Sequence, residues 1–431
     1  MSEARRVLLI GGGDLAGEVD GALKAAGAQV KWLEEADDES VRGALADDRP
    51  DIAIVAARED AFPLRMALLV RHLDDDLPLL VTIFDPGITR QVSETIPNCR
   101  VTSLADIVAP SLAGPSMDPD LTAVSRDGER IIGLTESLEE IELPPSRGRH
   151  LRSLATAVFA PFDRSAALLF YGFMGLVAML LLEIVGAITV LDQSFADAVY
   201  GSTKSLATVG PNTAVDDGPK WFKVAIAVSM VLTLLSAASF TGGLINRFVD
   251  SRLTGLFGRR AVPRRDHVVV VGLGQVGLRL CLALRDCGVP VVAIDTKEDG
   301  ENVGLARREK LPVVIGRGAN QALLRRLSLP NARALAAVTP EDLVNIEVAM
   351  TARSLNEDLR IVLRAGDGDV ADETRSLLRI GHVLDVHRLG AAYIAGVALG
   401  SDAEGVAMAE GRAQLLLPGG KREPFPLEIA T

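Results

Sequence analysis

The residues with the clearest chemical purpose are three glycines and a carboxylate. Gly272-Leu273-Gly274-Gln275-Val276-Gly277 follows an apolar run, Val268–Val271, and opens a helix-like face of Val276, Leu280, Cys281 and Leu284. About 20 residues beyond the glycines, a second apolar run, Val291–Ile294, ends at Asp295; this is the spacing of a dinucleotide-binding turn. Gly272 makes the tight turn, Gly274 lets the backbone approach a pyrophosphate, and Gly277 lets the helix pack on the strand. The helix start supplies free N–H groups and a favourable dipole for phosphate. Asp295 suits ribose hydroxyls and repels a 2′-phosphate. The expected ligand is therefore NAD(H) or another adenosine nucleotide, held by Gly272, Gly274, Gln275, Val276, Gly277, Asp295 and Thr296.

The first residues repeat the pattern. RRVLLI reads as a strand, Gly11-Gly12-Gly13-Asp14-Leu15-Ala16-Gly17 as the turn, and Glu34 or Glu35 as the acid after a second strand. Gly11, Gly13 and Ala16 satisfy the glycine pattern, which makes Gly11, Gly13, Asp14, Ala16 and Glu34 candidate cofactor contacts. DDRPDIAIV does not reproduce the usual nucleotide-contacting loops. Two readings stay open: a second nucleotide site, or a structural copy that pairs with its relative. Residues 108–150, rich in Pro, Gly and Ser, read as connector.

Strand and helix must alternate to position such turns. After the second glycine motif, strands are expected at Pro312–Ile315, Ala334–Val338 and Arg360–Arg364. Helices are expected at Gln321–Leu327, Leu343–Leu355 and Asp369–Leu378. That alternation predicts a parallel sheet covered on both faces.

Between the two motifs lie two apolar stretches. Ala166–Leu191 carries one charge, Glu183, and Val224–Ile245 carries none. Each is long enough to cross a bilayer core as a helix. Arginines flank the outside of both (Arg147, Arg149, Arg152, Arg164; Arg247, Arg252, Arg259, Arg260, Arg264, Arg265), and the intervening loop sets Asp192, Asp197, Asp216 and Asp217 against Lys204, with Lys220 and Lys223 at the edge of the second span. The expectation is two spans in the cell membrane with both termini cytoplasmic. Glu183 is either functional or a satisfied interhelical group. Gly242 and Gly243 lie in a run of small residues suited to close helix packing, and the pair is also a candidate gating bend.

Composition agrees. The chain has 431 residues, 48% hydrophobic, 24% charged and 4% aromatic, with a formal charge of −12. A disordered chain, a disulfide scaffold and a nucleic-acid-binding surface are all disfavoured. Cys99, Cys281 and Cys287 form no CxxC, and the five histidines form no HxxxH pair, so no metal site is expected.

Within the loop, Ser194 is an N-cap candidate, and Phe195, Ala198, Val199 and Leu206 recur at helical spacing before Thr208-Val209-Gly210-Pro211. Two spans enclosing a short helix and Thr-Val-Gly resemble the pore domain of two-transmembrane potassium channels, over about residues 165–250. The resemblance implies a filter in which backbone carbonyls of Thr208, Val209, Gly210 and Pro211, from four chains, replace the hydration shell of a potassium ion. Pro211, Asn212 and Thr213 depart from the aromatic and second glycine of the family. Lys204 stands where the family carries a neutral or acidic residue, and an ammonium there opposes cation permeation.

GLGQVG, VVAID, VVIGRGANQALLRRLSLPNARALAAVTPEDLVNIEVAMTARSLNEDLRIVLRAGD and VLDVHRLGAAYIAGVAL resemble the regulator-of-potassium-conductance (RCK), or TrkA-N, family over about residues 266–400. Arg317, in GRGAN, replaces an acid common at that position near the adenine or ribose. The resemblance implies a homotetramer whose eight Rossmann-like lobes form a cytosolic gating ring in the cell membrane's shadow, with no separate soluble subunit. The expected organisation is a divergent TrkA-N-like Rossmann domain (1–113), a connector (114–164), an all-α two-helix pore domain with a re-entrant loop (165–250), a basic linker (251–265) and an NAD-binding TrkA-N Rossmann domain (266–431). Both α/β domains are expected to be doubly wound parallel sheets. The function implied is a nucleotide-regulated cation channel, not an enzyme. The alternatives are a membrane-anchored nucleotide sensor with a non-conducting or non-potassium-selective pore and, more remotely, an NAD-dependent oxidoreductase, for which no acid–base constellation is visible.

Overall fold

The computed structural model describes residues 4–47, 49–57, 59–128, 130–137, 139–144, 164–207, 213–249, 263, 265–366, 381–409 and 411–428. The chain divides into two compact units, Met1–His150 with Arg259–Thr431, and Leu151–Gly258.

In the first unit, short apolar runs become strands buried on both faces. β1 (Arg6–Ile10), β2 (Gln29–Leu33), β3 (Ile52–Val55), β4 (Leu79–Thr82) and β5 (Cys99–Thr102) form a parallel sheet in the order β2-β1-β3-β4-β5. The helices between and after them are α1 (Asp14–Ala25), α2 (Asp38–Asp47), α3 (Ala61–Leu73), α4 (Pro86–Thr95) and α5 (Leu104–Met117). An antiparallel sheet follows, made of β6 (Leu121–Asp127), β7 (Arg130–Thr135) and β8 (Glu140–Leu143).

As far as residue 144 this corrects the reading of residues 108–150 and 114–164 as connector; residues 145–163 lie outside the described residues. Pro110 and Pro115 lie inside α5, yet ten of its residues are buried, and burial outweighs the prolines' poor helix propensity. Its small residues serve close packing: a Cβ on Gly114 would lie 2.7 Å from the Ala123 backbone nitrogen. Ser103 caps the helix by accepting the Asp106 N–H at 3.2 Å.

The second unit holds α6 (Arg164–Val190), α7 (Phe195–Leu206), a 3-10 turn (Thr213–Asp217) and α8 (Lys220–Val249). Leu168–Val190 and Lys220–Ile245 are long and apolar enough to cross a membrane, with mean hydropathies of 2.3 and 2.0. α6 and α8 meet through small residues. A Cβ on Gly172 would lie 2.6 Å from the Phe240 nitrogen, and one on Gly175 2.5 Å from Ser236 Oγ. Gly242 and Gly243 sit within an unbroken α8.

The C-terminal sheet is six-stranded and parallel. Its strands are β9 (Val268–Val271), β10 (Val291–Asp295), β11 (Val313–Ile315), β12 (Ala334–Ala337), β13 (Arg360–Ala365) and β14 (His382–Asp385), in the order β11-β10-β9-β12-β13-β14. This is the doubly wound order with its switch point between β9 and β12. Its helices are α9 (Gln275–Asp286), α10 (Glu301–Arg308), α11 (Gln321–Arg326), α12 (Asp342–Leu355) and α13 (Val386–Ala398). The helix expected at Asp369–Leu378 falls outside the described residues. A second antiparallel sheet ends the chain: β15 (Gly405–Ala409), β16 (Arg412–Leu416) and β17 (Arg422–Glu428). The duplication therefore runs past residue 113, and each copy is a parallel sheet, a last helix and a three-stranded sheet.

The two copies pair reciprocally. α1 packs on α13, and α5 packs on α9, so the first helix of each copy lies on the last helix of the other. One hydrophobic core runs through both, joining Val19, Leu23 and Leu112 to Leu280, Leu284, Leu389 and Ile394. A second core, including Met66, Val70, Val81 and Val92, belongs to the N-terminal copy alone.

His267, fully buried just before β9, places Nε2 3.0 Å from the Leu327 carbonyl oxygen. Burial pushes its pKa down to about 4, against a partial rise from that hydrogen bond and from Asp266. The folded state therefore holds fewer protons than the unfolded chain between pH 6.5 and about 4. Stability is full above the unfolded value and falls as pH drops through that window, by up to about 3 kcal/mol. His267→Gln should flatten the pH dependence of the unfolding midpoint over the same range, measured by thermal denaturation of the purified protein.

Candidate nucleotide site and membrane segment

The glycine turn after β9 is built by steric necessity. Gly272 has φ +95°, and a Cβ there would lie 2.8 Å from Thr339 Cγ2 and 2.9 Å from the Thr339 nitrogen. A Cβ on Gly277 would lie 1.9 Å from the Gly272 carbonyl oxygen, so helix and turn touch only because the side chain is missing. Gly274 differs: a Cβ would meet nothing within 4 Å, and the residue caps α9 without a side-chain bond. Open space therefore lies over an uncapped helix start at Gln275 and Val276, the arrangement that receives an anion.

Asp295 ends β10 and joins the two halves of the turn. Its Oδ2 accepts the Leu273 N–H at 2.8 Å and its Oδ1 the Lys297 N–H at 2.9 Å. A carboxylate retains further lone pairs for ribose hydroxyls beyond these bonds. Thr296 is exposed beside it. Arg317 follows β11 with its side chain 78% exposed, 3.8 Å from Glu347 Oε1.

Two residues that sequence reasoning missed complete the crevice. Gly318 lets the Arg317 loop close onto β9, since a Cβ would lie 2.2 Å from Val271 Cγ1. Asn345, buried on α12, accepts the Thr339 N–H at 2.9 Å and the Thr339 hydroxyl at 2.7 Å. It also donates to the carbonyls of Thr339 and Arg364, both at 3.0 Å. It thereby ties the ends of β12 and β13 beside the switch point. The only sequence signal was an amide on the apolar face of a helix.

The N-terminal copy brings fewer parts together. Gly11 makes the equivalent turn at φ +122°, and Trp32 Nε1–H donates to its carbonyl oxygen at 2.8 Å. Gly13 caps α1, and Ala16 is buried against the turn. Asp14 stands exposed where the C-terminal copy has Gln275, and Glu34 is exposed at the end of β2. The copy passes from β2 through α2 directly to the strand beside β1, so it has no counterpart of β11 among the described residues.

In the membrane unit, Ser194 caps α7 as expected, accepting the Asp197 N–H at 3.3 Å. Lys204 lies in the last turn of α7, its Nζ 5.9 Å from the centre of the Tyr200 ring. Thr208, Val209, Gly210 and Pro211 lie outside the described residues. Glu183 is buried, and its Oε1 accepts hydroxyls from Ser229 at 2.6 Å and Ser205 at 3.3 Å. It is a satisfied interhelical group joining α6, α7 and α8. Burial pushes the thiols of Cys99, Cys281 and Cys287 up to about 11, 12 and 11, so all three stay protonated.

The TrkA-N domain model matches residues 268–384. Over 240 residues the chain is 23% identical to potassium channel protein 1 of Methanocaldococcus jannaschii, covering 54% of this chain and 70% of that one. Over 223 residues it is 25% identical to the voltage-gated potassium channel Kch of Escherichia coli, covering 51% of this chain and 52% of that one. Two solved structures of the GsuK channel, one of them bound to NAD, share the fold at TM-scores of 0.52 and 0.50. Their sequence identities are 16% and 15%, and each comparison covers 92% of this chain and 64% of the other. The chain thus spans between half and seven-tenths of the length of these relatives, which are named as channel proteins. Residues 268–384 match the TrkA-N domain, within a doubly Rossmann-like chain that is similar to archaeal and bacterial potassium-channel proteins.

Proposed function

We propose that this chain is a nucleotide-regulated cation channel, with potassium as its ion, built as a homotetramer in the cell membrane with two spans and both termini cytoplasmic. The observation that carries the reading is the union, in one chain, of a paired Rossmann-like unit with an open nucleotide turn and two membrane-length helices joined through a capped short helix. Four chains contribute backbone carbonyls of Thr208, Val209, Gly210 and Pro211 to the filter. Eight Rossmann-like lobes form the ring beneath it. The nucleotide occupies the C-terminal copy at Gly272, Gly274, Gln275, Val276, Gly277, Asp295 and Thr296, with Arg317 at the rim. NAD(H) is the first ligand to test, given the shared fold of the NAD-bound GsuK channel. The N-terminal copy serves pairing: the acidic Asp14 stands in the first turn of α1, where its charge would oppose a pyrophosphate, and among the described residues the edge strand that carries the Arg317 loop has no counterpart. A ligand shifts such a pore by its differential affinity for the two ring states. The linker 251–265 transmits that shift to α8, with Gly242 and Gly243 as the bend.

A second reading, a membrane nucleotide sensor whose pore is non-conducting or not selective for potassium, rests on Lys204 and on Pro211-Asn212 after Thr-Val-Gly.

Two measurements test these assignments. NAD(H) at a hundred times its Kd should stabilise the purified chain by about 2.7 kcal/mol in thermal unfolding. Gly274→Ala should fold normally, because its Cβ meets nothing, and should lose that ligand shift. An undiminished shift in the variant would remove the nucleotide from this turn. Planar-bilayer recordings under potassium/sodium and potassium/chloride gradients should give a reversal potential that follows potassium, with open probability changed by nucleotide. Lys204→Gln should raise the cation current. A reversal potential that follows chloride would overturn the cation reading, and silence under every nucleotide would favour the sensor.

A further inference from the structure

The reciprocal pairing of the two copies places two ion pairs at equivalent points of a pseudo-twofold interface. Glu18 lies five residues after Gly13, the cap of α1, and Arg279 lies five residues after Gly274, the cap of α9. Asp106 lies three residues after Ser103, the cap of α5, and Arg388 three residues after Asp385, the cap of α13. Across the interface, Arg279 Nε meets Asp106 Oδ1 at 2.8 Å, and Arg388 Nε meets Glu18 Oε2 at 3.7 Å. The pairs are equivalent in position and opposite in sign. The N-terminal copy carries the acid on both its first and its last helix, and the C-terminal copy carries the base on both.

We propose that this charge exchange specifies pairing of an N-terminal lobe with a C-terminal lobe and rejects pairing of like lobes. Two C-terminal lobes docked in the same geometry would set Arg279 against Arg388 twice. Two N-terminal lobes would set Glu18 against Asp106 twice. The sites are partly shielded, with Arg279 and Arg388 side chains 20% and 30% exposed, so juxtaposed like charges are poorly solvated and strongly disfavoured. Arg279 is also fixed in place: it donates to the Phe84 carbonyl oxygen at 3.2 Å and lies 5.0 Å from the centre of the Phe84 ring. Arg388 has a second carboxylate within reach, Asp385 Oδ2 at 3.7 Å, which fixes its guanidinium on its own helix cap. Discrimination matters because oligomerisation concentrates like lobes from neighbouring chains beside one another, where both partners share the same scaffold. The inference concerns which lobes pair, and it holds or fails independently of ion conduction.

Charge exchange in the full-length purified chain tests it. Arg279→Glu and Glu18→Arg, each alone, should lower the unfolding midpoint by about 2–4 °C. The matched doubles Arg279→Glu/Asp106→Arg and Glu18→Arg/Arg388→Glu should recover most of the loss. The neutral variants Arg279→Gln and Glu18→Gln should lose less than the reversals, since they remove attraction without adding repulsion. The crossed double Glu18→Arg/Arg279→Glu makes like lobes complementary. Assembled from chains carrying heavy and light nitrogen and cross-linked, it should give links between α1 and α5 of different chains, where the native protein gives α1–α13 links within one chain. Adding Asp106→Arg and Arg388→Glu should return the links to one chain. Matched doubles no more stable than their singles combined, or a crossed double that keeps its intrachain links, would overturn the proposal.

Discussion

The structure of the first unit depends on one constraint: neither Rossmann-like sheet can bury both of its helical faces alone. α5 illustrates it. Ten of its residues are buried, and the surfaces that bury them come from β6, α9, α13 and β15. Remove the C-terminal copy and that helix would present Ile107, Val108, Leu112 and Ala113 to water, an apolar strip that no lone lobe could sustain. The shared core makes the duplication obligatory, and it explains how the copies can diverge in their turns while keeping their helices.

The same constraint links binding to pairing. α9 begins at the glycine turn, and its side carries Arg279 into the interface, only two residues beyond Gly277. A nucleotide bound as proposed at the start of α9 would therefore bear on the helix that docks the other copy. The contact of Gly277 with the Gly272 carbonyl leaves no slack between turn and helix. Movement of one is movement of the other, the kind of rigid element through which ligand affinity and lobe arrangement become coupled. In the N-terminal copy the corresponding turn is braced by Trp32 instead, an indole donating to the carbonyl of Gly11. A side chain of the protein does there what needs no ligand.

Much of this was legible in the sequence, for identifiable reasons. Buried parallel strands read as continuous apolar runs, and glycine turns need glycine, so both parallel sheets and the C-terminal turn stood out. The antiparallel sheets did not. β6 and β8 intersperse polar and charged residues among their apolar ones, and α5 hides behind two prolines whose local signal is a loop. Asn345 was invisible because its partners lie at the ends of strands that only the fold brings together. Glu183 could not be decided from sequence because its two hydroxyl donors are 22 and 46 residues away.

Glu183 also sets the terms for the membrane unit. A carboxyl group in apolar surroundings is costly unless hydrogen-bonded, and the hydroxyls that satisfy it come from Ser205 on α7 and Ser229 on α8. The requirement fixes the short helix against both long ones. Ser205 adjoins Lys204, so the position of the ammonium follows from that of the acid. The C-terminal end of a helix bears partial negative charge, which favours a nearby cation. Lys204 in the last turn stabilises α7 by the same field, and in the proposed channel it would subtract from what remains for an ion. The charge that completes the short helix is thus the charge that would work against a cation in the proposed pore, and it is carried by a single side chain resting near Tyr200.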